Sequence, residues 1–143
     1  MADDNCLFCR IVSGEVPATI VYEDSNAIAF LDHRPLFPGH TLLVPREHVE
    51  TLVDLPQQLV GPFFEAARLL ARAVELAMEA EGTFVAMNNR VSQSVPHLHV
   101  HIVPRRKKDG LKGFFWPRTK YKTEEEMKVV QLKIATALQK RSR

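Results

Sequence analysis

Between Pro96 and Pro104 lies the run His97-Leu98-His99-Val100-His101-Ile102-Val103, where three of the chain's six histidines alternate with branched apolar residues. A period of two is that of a strand, whose successive side chains point to opposite faces. The spacing therefore predicts a strand with His97, His99 and His101 on one face and Leu98, Val100 and Ile102 entering a core on the other. Pro96 and Pro104 cannot donate to a ladder and are expected to bound it. A single buried histidine is usually a hydrogen-bonded core residue, and a pair at this spacing also serves as metal ligands. Three in strict alternation are either a three-histidine metal cage or, as the leading use, the site of nucleophilic chemistry. Imidazole is largely unprotonated at neutral pH, so it can attack phosphorus and leave again.

A chain of 143 residues is expected to form one domain with a sizeable core, and 45% hydrophobic with 25% charged residues is the profile of an ordinary globule. No apolar stretch approaches the ~20 residues of a membrane span. The acidic start Met1-Ala2-Asp3-Asp4-Asn5 does not resemble a secretory signal, so a cytoplasmic, reducing location is expected. Charge is divided unevenly. Residues 1–103 carry six Lys/Arg against 13 Asp/Glu, and residues 104–143 carry 13 against four. The basic block is either a solvated tail or an electrostatic collar for a polyphosphate.

A short helix is expected over residues 6–13, stopped by Gly14. Residues 19–22 and 26–31 read as a hairpin, and residues 41–44 as a third strand after the Pro35, Pro38 and Gly39 loop. Asp54 reads as the N-cap of the longest helix, with Gln57 as its capping-box partner. Pro62 is expected either to kink that helix or to move its start to about Gly61, and Gly82 to end it. A fourth strand over 83–87, the histidine strand, and a terminal helix capped at Thr123 complete an α+β fold. Cys6 and Cys9 form a Cys-x-x-Cys, which reads as a redox pair, half of a metal site, or two small buried apolar residues.

The histidine run resembles the signature of the histidine triad (HIT) superfamily of nucleotide hydrolases and transferases. Further motifs carry the resemblance: residues 6–17, Val21-Tyr22-Glu23-Asp24, Ala29-Phe30-Leu31-Asp32, Pro38-Gly39-His40-Thr41 through His48, and Gln93-Ser94-Val95. The likeness covers about residues 6–105, with a basic extension and helix over 106–143. It implies an antiparallel five-stranded sheet packed by a long helix and a shorter one, plus the C-terminal helix, and commonly two protomers sharing an extended sheet as a homodimer.

For the site, the resemblance implies that His99 attacks the α-phosphorus, that His101 contacts phosphate oxygens, and that His97 sits behind the nucleophile. Ser94 and Gln93 match positions at the phosphate and leaving group, and Asn88 a polar residue of the same edge. Asp32 matches the acidic residue on the ribose hydroxyls, and Phe8, Phe30 and Leu42 match the wall around a purine base. His33, beside Asp32, either contacts the base or caps a loop. Similar Cys-x-x-Cys members complete a zinc site with residues matching His48 and His97, so Cys6, Cys9, His48 and His97 become candidate ligands of a structural zinc. No organic cofactor, membrane or nucleic acid is implied. The expected activity is hydrolysis of a phosphoramidate or a dinucleoside polyphosphate with release of a nucleoside monophosphate such as AMP. Nucleotidyl transfer and non-catalytic nucleotide binding are the alternatives. Past Pro104 the chain departs from the small Hint-type phosphoramidases. There Phe114-Phe115-Trp116 should pack on something, and Arg118, Lys120 or Tyr121 are candidates for reaching phosphates.

Overall fold

The computed structural model describes residues 3–111 and 118–140, so Phe114-Phe115-Trp116 lie outside the described residues. The chain forms two compact units, Met1–Asp109 and Gly110–Arg143. Five strands of the first unit, β1 (Ile20–Glu23), β2 (Ala27–Leu31), β3 (Thr41–Pro45), β4 (Gly82–Ala86) and β5 (Val100–Arg105), make one antiparallel sheet in the order β1-β2-β3-β5-β4. Helices α1 (Leu7–Val12) and α2 (Gln57–Ala77) belong to the same unit. The second unit holds α3 (Glu124–Gln139), whose N-cap Thr123 accepts a hydrogen bond from the Glu126 amide as its capping-box spacing predicts.

Strand parity sorts the sheet's side chains into two cores. Ala27, Ala29, Leu43, Leu98, Val100 and Ile102 pack with Phe63, Ala66, Ala67, Leu70 and Val74 of α2. The alternate residues Ile28, Phe30, Leu42 and Val44 pack with Cys6, Phe8, Cys9 and Ile11 at α1. Each large apolar side chain so covered contributes about 1.5–3 kcal/mol relative to exposure. The triad side chains fall on the α1 side, where Phe30 pairs with Leu42 and Leu42 with His101 across three strands.

Several local expectations are corrected. Asp54 does not cap the long helix. Its carboxylate accepts from the Thr51 amide and hydroxyl, closing a capping box around the 3-10 turn Leu52–Asp54. Helix α2 starts at Gln57 and runs through Pro62, forgoing one backbone bond where Gly61 and Pro62 are exposed. It ends at Ala77 rather than at Gly82, because Glu79 takes the left-handed position (φ 51°) usually given to glycine. The Ala80 amide then donates to the Glu75 carbonyl, the bond of a Schellman turn. Gly82 is released to begin β4. Pro104 sits inside β5, opposite Thr83, and the ladder starts only at Val100, so His97 and His99 precede it while keeping the alternation.

Candidate active site

The α1 face carries a cavity of about 770 Å3, lined among others by Phe8, Phe30, Asp32, Leu42, His99 and His101. Ser94 and His33 also border it, and Ile11 and Val16 extend its apolar wall. Asn88 and Gln93 do not line it. The Gln93 amide bridges the Arg90 backbone N–H and the Glu50 carbonyl, and Asn88 donates to the Ser92 carbonyl, so both side chains shape the 88–95 loop that presents Ser94.

The triad imidazoles have different partners and therefore different chemistry. His97 is fully buried, and its Nε2 lies 2.8 Å from the Pro45 carbonyl. A carbonyl only accepts, so Nε2 carries the hydrogen and Nδ1 keeps its lone pair. That lone pair faces Cys6 Sγ at 3.3 Å, Cys9 Sγ at 3.6 Å and His48 Nδ1 at 3.2 Å. His99, 4% exposed, donates from Nδ1 to the His97 carbonyl at 2.8 Å, leaving the lone pair on Nε2. The Phe8 ring packs edge-on against His99 with centroids 5.1 Å apart. His101 Nδ1 lies 3.0 Å from Nε2 of His40, a buried histidine at the start of β3 to which the sequence reading gives no role.

Cys6, Cys9, His48 and His97 form a group able to hold a metal ion, with all four donor atoms within 4.8 Å of one another. Two sulfurs and two imidazole nitrogens are the donor set of tetrahedral structural zinc, whose bonds of ~2.0–2.3 Å fit donors spaced in this way. The Pro45 carbonyl fixes the His97 tautomer that leaves Nδ1 able to ligate, the contact a metal-binding histidine would need on its other nitrogen. Burial pushes the Cys9 thiol up, so loading a metal there must release a proton.

Burial holds His40 below 6.5, partly offset by Asp32. Burial, then the neighbouring His99 and His40, push His101 down to about 4. His101 is therefore neutral in the folded protein above about pH 4, and His40 holds its second proton less well than a free imidazole, while the unfolded chain protonates near 6.5. Between about pH 6.5 and 4 the unfolded state binds more protons, so this contribution to stability is complete above 6.5 and lost as pH falls toward 4. Urea midpoints should decline over that window, and less steeply in His101→Asn. A midpoint that is flat there would contradict the assignment.

Residues 13–108 match the HIT domain. The chain belongs to the HIT family. It is 38% identical over 115 residues to "Protein hit" of Bacillus subtilis, covering 79% of each chain. It is 30% identical over 119 residues to the adenosine 5'-monophosphoramidase HNT1 of Candida albicans, covering 79% of this chain and 78% of the other. A solved structure of a zinc-bound histidine triad family protein from Mycobacterium smegmatis superposes with a TM-score of 0.71 at 35% identity, covering 96% of this chain and 98% of the other. The family includes hydrolases, and the five-stranded sheet of this chain is the HIT fold. No helix among the described residues is long and apolar enough to cross a membrane.

Proposed function

We propose that this HIT protein hydrolyses nucleoside 5′-phosphate derivatives at the α-phosphorus through a nucleotidyl–His99 intermediate. The observation that carries the reading is the hydrogen bond from His99 Nδ1 to the His97 carbonyl, which leaves the opposite nitrogen with a lone pair at the wall of a nucleotide-sized cavity. His99 Nε2 attacks phosphorus, the bond to the leaving group breaks, and the leaving group takes a proton from solvent, to which the attacking water of the second step returns one. Water then adds to the same phosphorus and Nε2 departs, giving a nucleoside monophosphate. His101 hydrogen-bonds the phosphate oxygens as charge shifts onto them. Asp32 accepts from the ribose hydroxyls, Phe8, Phe30 and Leu42 hold the purine, His33 lies at the base, and Ser94 meets the leaving-group side.

A phosphoramidate is the favoured substrate, supported by the Candida albicans relative's activity. Zinc is proposed for the Cys6, Cys9, His48 and His97 set, where it would tie α1 to the segment leading into β5 without an open position for catalysis. A homodimer is proposed from the family resemblance, with outer strand β4 a place for a partner's strand to add.

Steady-state assay against adenosine phosphoramidate, an acyl adenylate and a diadenosine polyphosphate tests the activity. AMP release should be greatest from the phosphoramidate. No release from any of the three would leave nucleotide binding without turnover as the function.

A further inference from the structure

His40 is buried, 3% exposed, and both of its ring nitrogens are engaged. The fold places it with care. Phe37 accepts from the His40 amide across Pro38-Gly39, and Gly39 takes φ 100°, the conformation a type II turn asks of its third residue. The Asp32 amide donates to the His40 carbonyl, closing the base of the 32–40 loop. The Leu36 backbone N–H then donates to His40 Nδ1 at 3.0 Å. An amide N–H cannot accept, so Nδ1 is the unprotonated nitrogen and Nε2 carries the hydrogen. That Nε2–H lies 3.0 Å from His101 Nδ1 and donates to it, while Asp32 Oδ2 at 3.7 Å is beyond hydrogen-bond reach. His101 Nδ1 is therefore an acceptor, and the hydrogen of His101 resides on Nε2.

We propose that His40 is a positioning residue that holds His101 in its Nε2–H tautomer, so that His101 offers the substrate phosphate a donor and not a lone pair. The proposal rests on the reading of His101 as the phosphate-contacting imidazole. Direction is the point. The chain of bonds runs one way, from the Leu36 amide through His40 to His101 at the cavity wall. The opposite tautomer of His101 would set two N–H groups against each other at His40 and turn a lone pair toward an anionic oxygen. Asp32, His40 and His101 also bring three donor atoms within 4.8 Å, close enough for a divalent cation. A metal on His40 Nε2 would need the ring hydrogen on Nδ1, facing the Leu36 N–H, and the hydrogen bond to Leu36 speaks against it.

Two substitutions separate the ends of the ring. His40→Asn keeps an acceptor near the Nδ1 position but loses the donor to His101. His40→Gln places an amide N–H near the Nε2 position. His40→Asn should lower kcat roughly tenfold with KM within about twofold, and His40→Gln should restore most of that loss. In a His101→Asn background, His40→Asn should cause no further loss. Nitrogen-15 spectra of the imidazole rings provide a readout that needs no substrate. Wild-type His101 should show a protonated Nε2 and an unprotonated Nδ1, and the Nδ1–H form should appear in His40→Asn. Wild-type His101 protonated on Nδ1 would overturn the proposal even if no variant folds. So would a folded His40→Asn with unmoved His101 nitrogens, or His40→Gln as impaired as His40→Asn. The spectra test His40 alone, whereas absence of His99-dependent turnover would overturn the hydrolase reading. Added zinc that shifts the His101 and His40 resonances together in the wild type would also overturn the proposal, in favour of a cation site.

Discussion

His99→Asn should lower turnover roughly 10⁴-fold or more while leaving nucleotide affinity nearly unchanged. Asparagine can keep the donor that His99 Nδ1 now offers the His97 carbonyl, so the local backbone and the packing against Phe8 survive. What it lacks is any atom where the Nε2 lone pair stood. An interaction made only on the way to the transition state is lost, and that appears in kcat with KM spared. A rapid quench should trap an acid-labile, base-stable nucleotidyl adduct on His99 alone, located by mass spectrometry. His97 is a poor rival nucleophile because it is fully buried, with one nitrogen at the Pro45 carbonyl and the other at the two thiols and His48. Near wild-type turnover in His99→Asn, or an adduct on His97 or Ser94, would end the assignment. His101→Asn should be milder, since it removes a phosphate contact and keeps the covalent route.

Strand parity made most of this arrangement legible in the sequence. The alternation in the triad separates Leu98, Val100 and Ile102 from the histidines, and the structure puts the two sets in opposite cores. The same parity applied to β3 puts His40 with Leu42 and Val44, on the face of the triad. That signal was present. Its meaning depended on the register, since only the Leu42–His101 pairing brings the start of β3 beside the triad. The 39 to 91 residues separating the paired cysteines and histidines likewise carry no distance information, so the fourfold Cys/His group followed from family resemblance and was then met in space. Helix ends were misread where one residue stood in for another. Glu79 holds the left-handed position expected of Gly82, and Asp54 closes a capping box with Thr51 on the 3-10 turn ahead of the helix it was expected to cap. Gln93 and Asn88 were candidates only through the family resemblance, which sets them at the phosphate edge. In the structure Gln93 bonds the Arg90 amide and the Glu50 carbonyl and Asn88 bonds the Ser92 carbonyl, in a loop that includes Arg90 and Ser92 at φ 72° and 62°.

Protein purified without added metal should contain about one zinc per chain, and removing it should destabilise the fold and slow turnover together. The four candidate ligands come from three segments: Cys6 and Cys9 at α1, His48 after β3, and His97 ahead of β5. Helix α1 has six residues, far fewer than an isolated helix needs, and depends on burial of Phe8, Cys9 and Ile11 for its place. A metal bound only by the folded chain adds about 4 kcal/mol when free zinc stands near a thousand times Kd. For a domain of this size that corresponds to a Tm roughly 10 °C lower after chelation or in Cys9→Ala. Two contacts carry the effect to the chemistry. The His97 carbonyl fixes the His99 tautomer, and the Phe8 ring, one residue from Cys9, walls His99 on its other side. Loosening α1 should therefore depress kcat more than it raises KM, and restoring zinc to chelated wild-type protein should recover both Tm and kcat. Zinc affinity should also weaken as pH falls, because thiols and imidazoles must shed protons to bind. Protein isolated free of metal, or a chelated sample that melts and turns over unchanged, would reduce Cys6 and Cys9 to two small buried side chains.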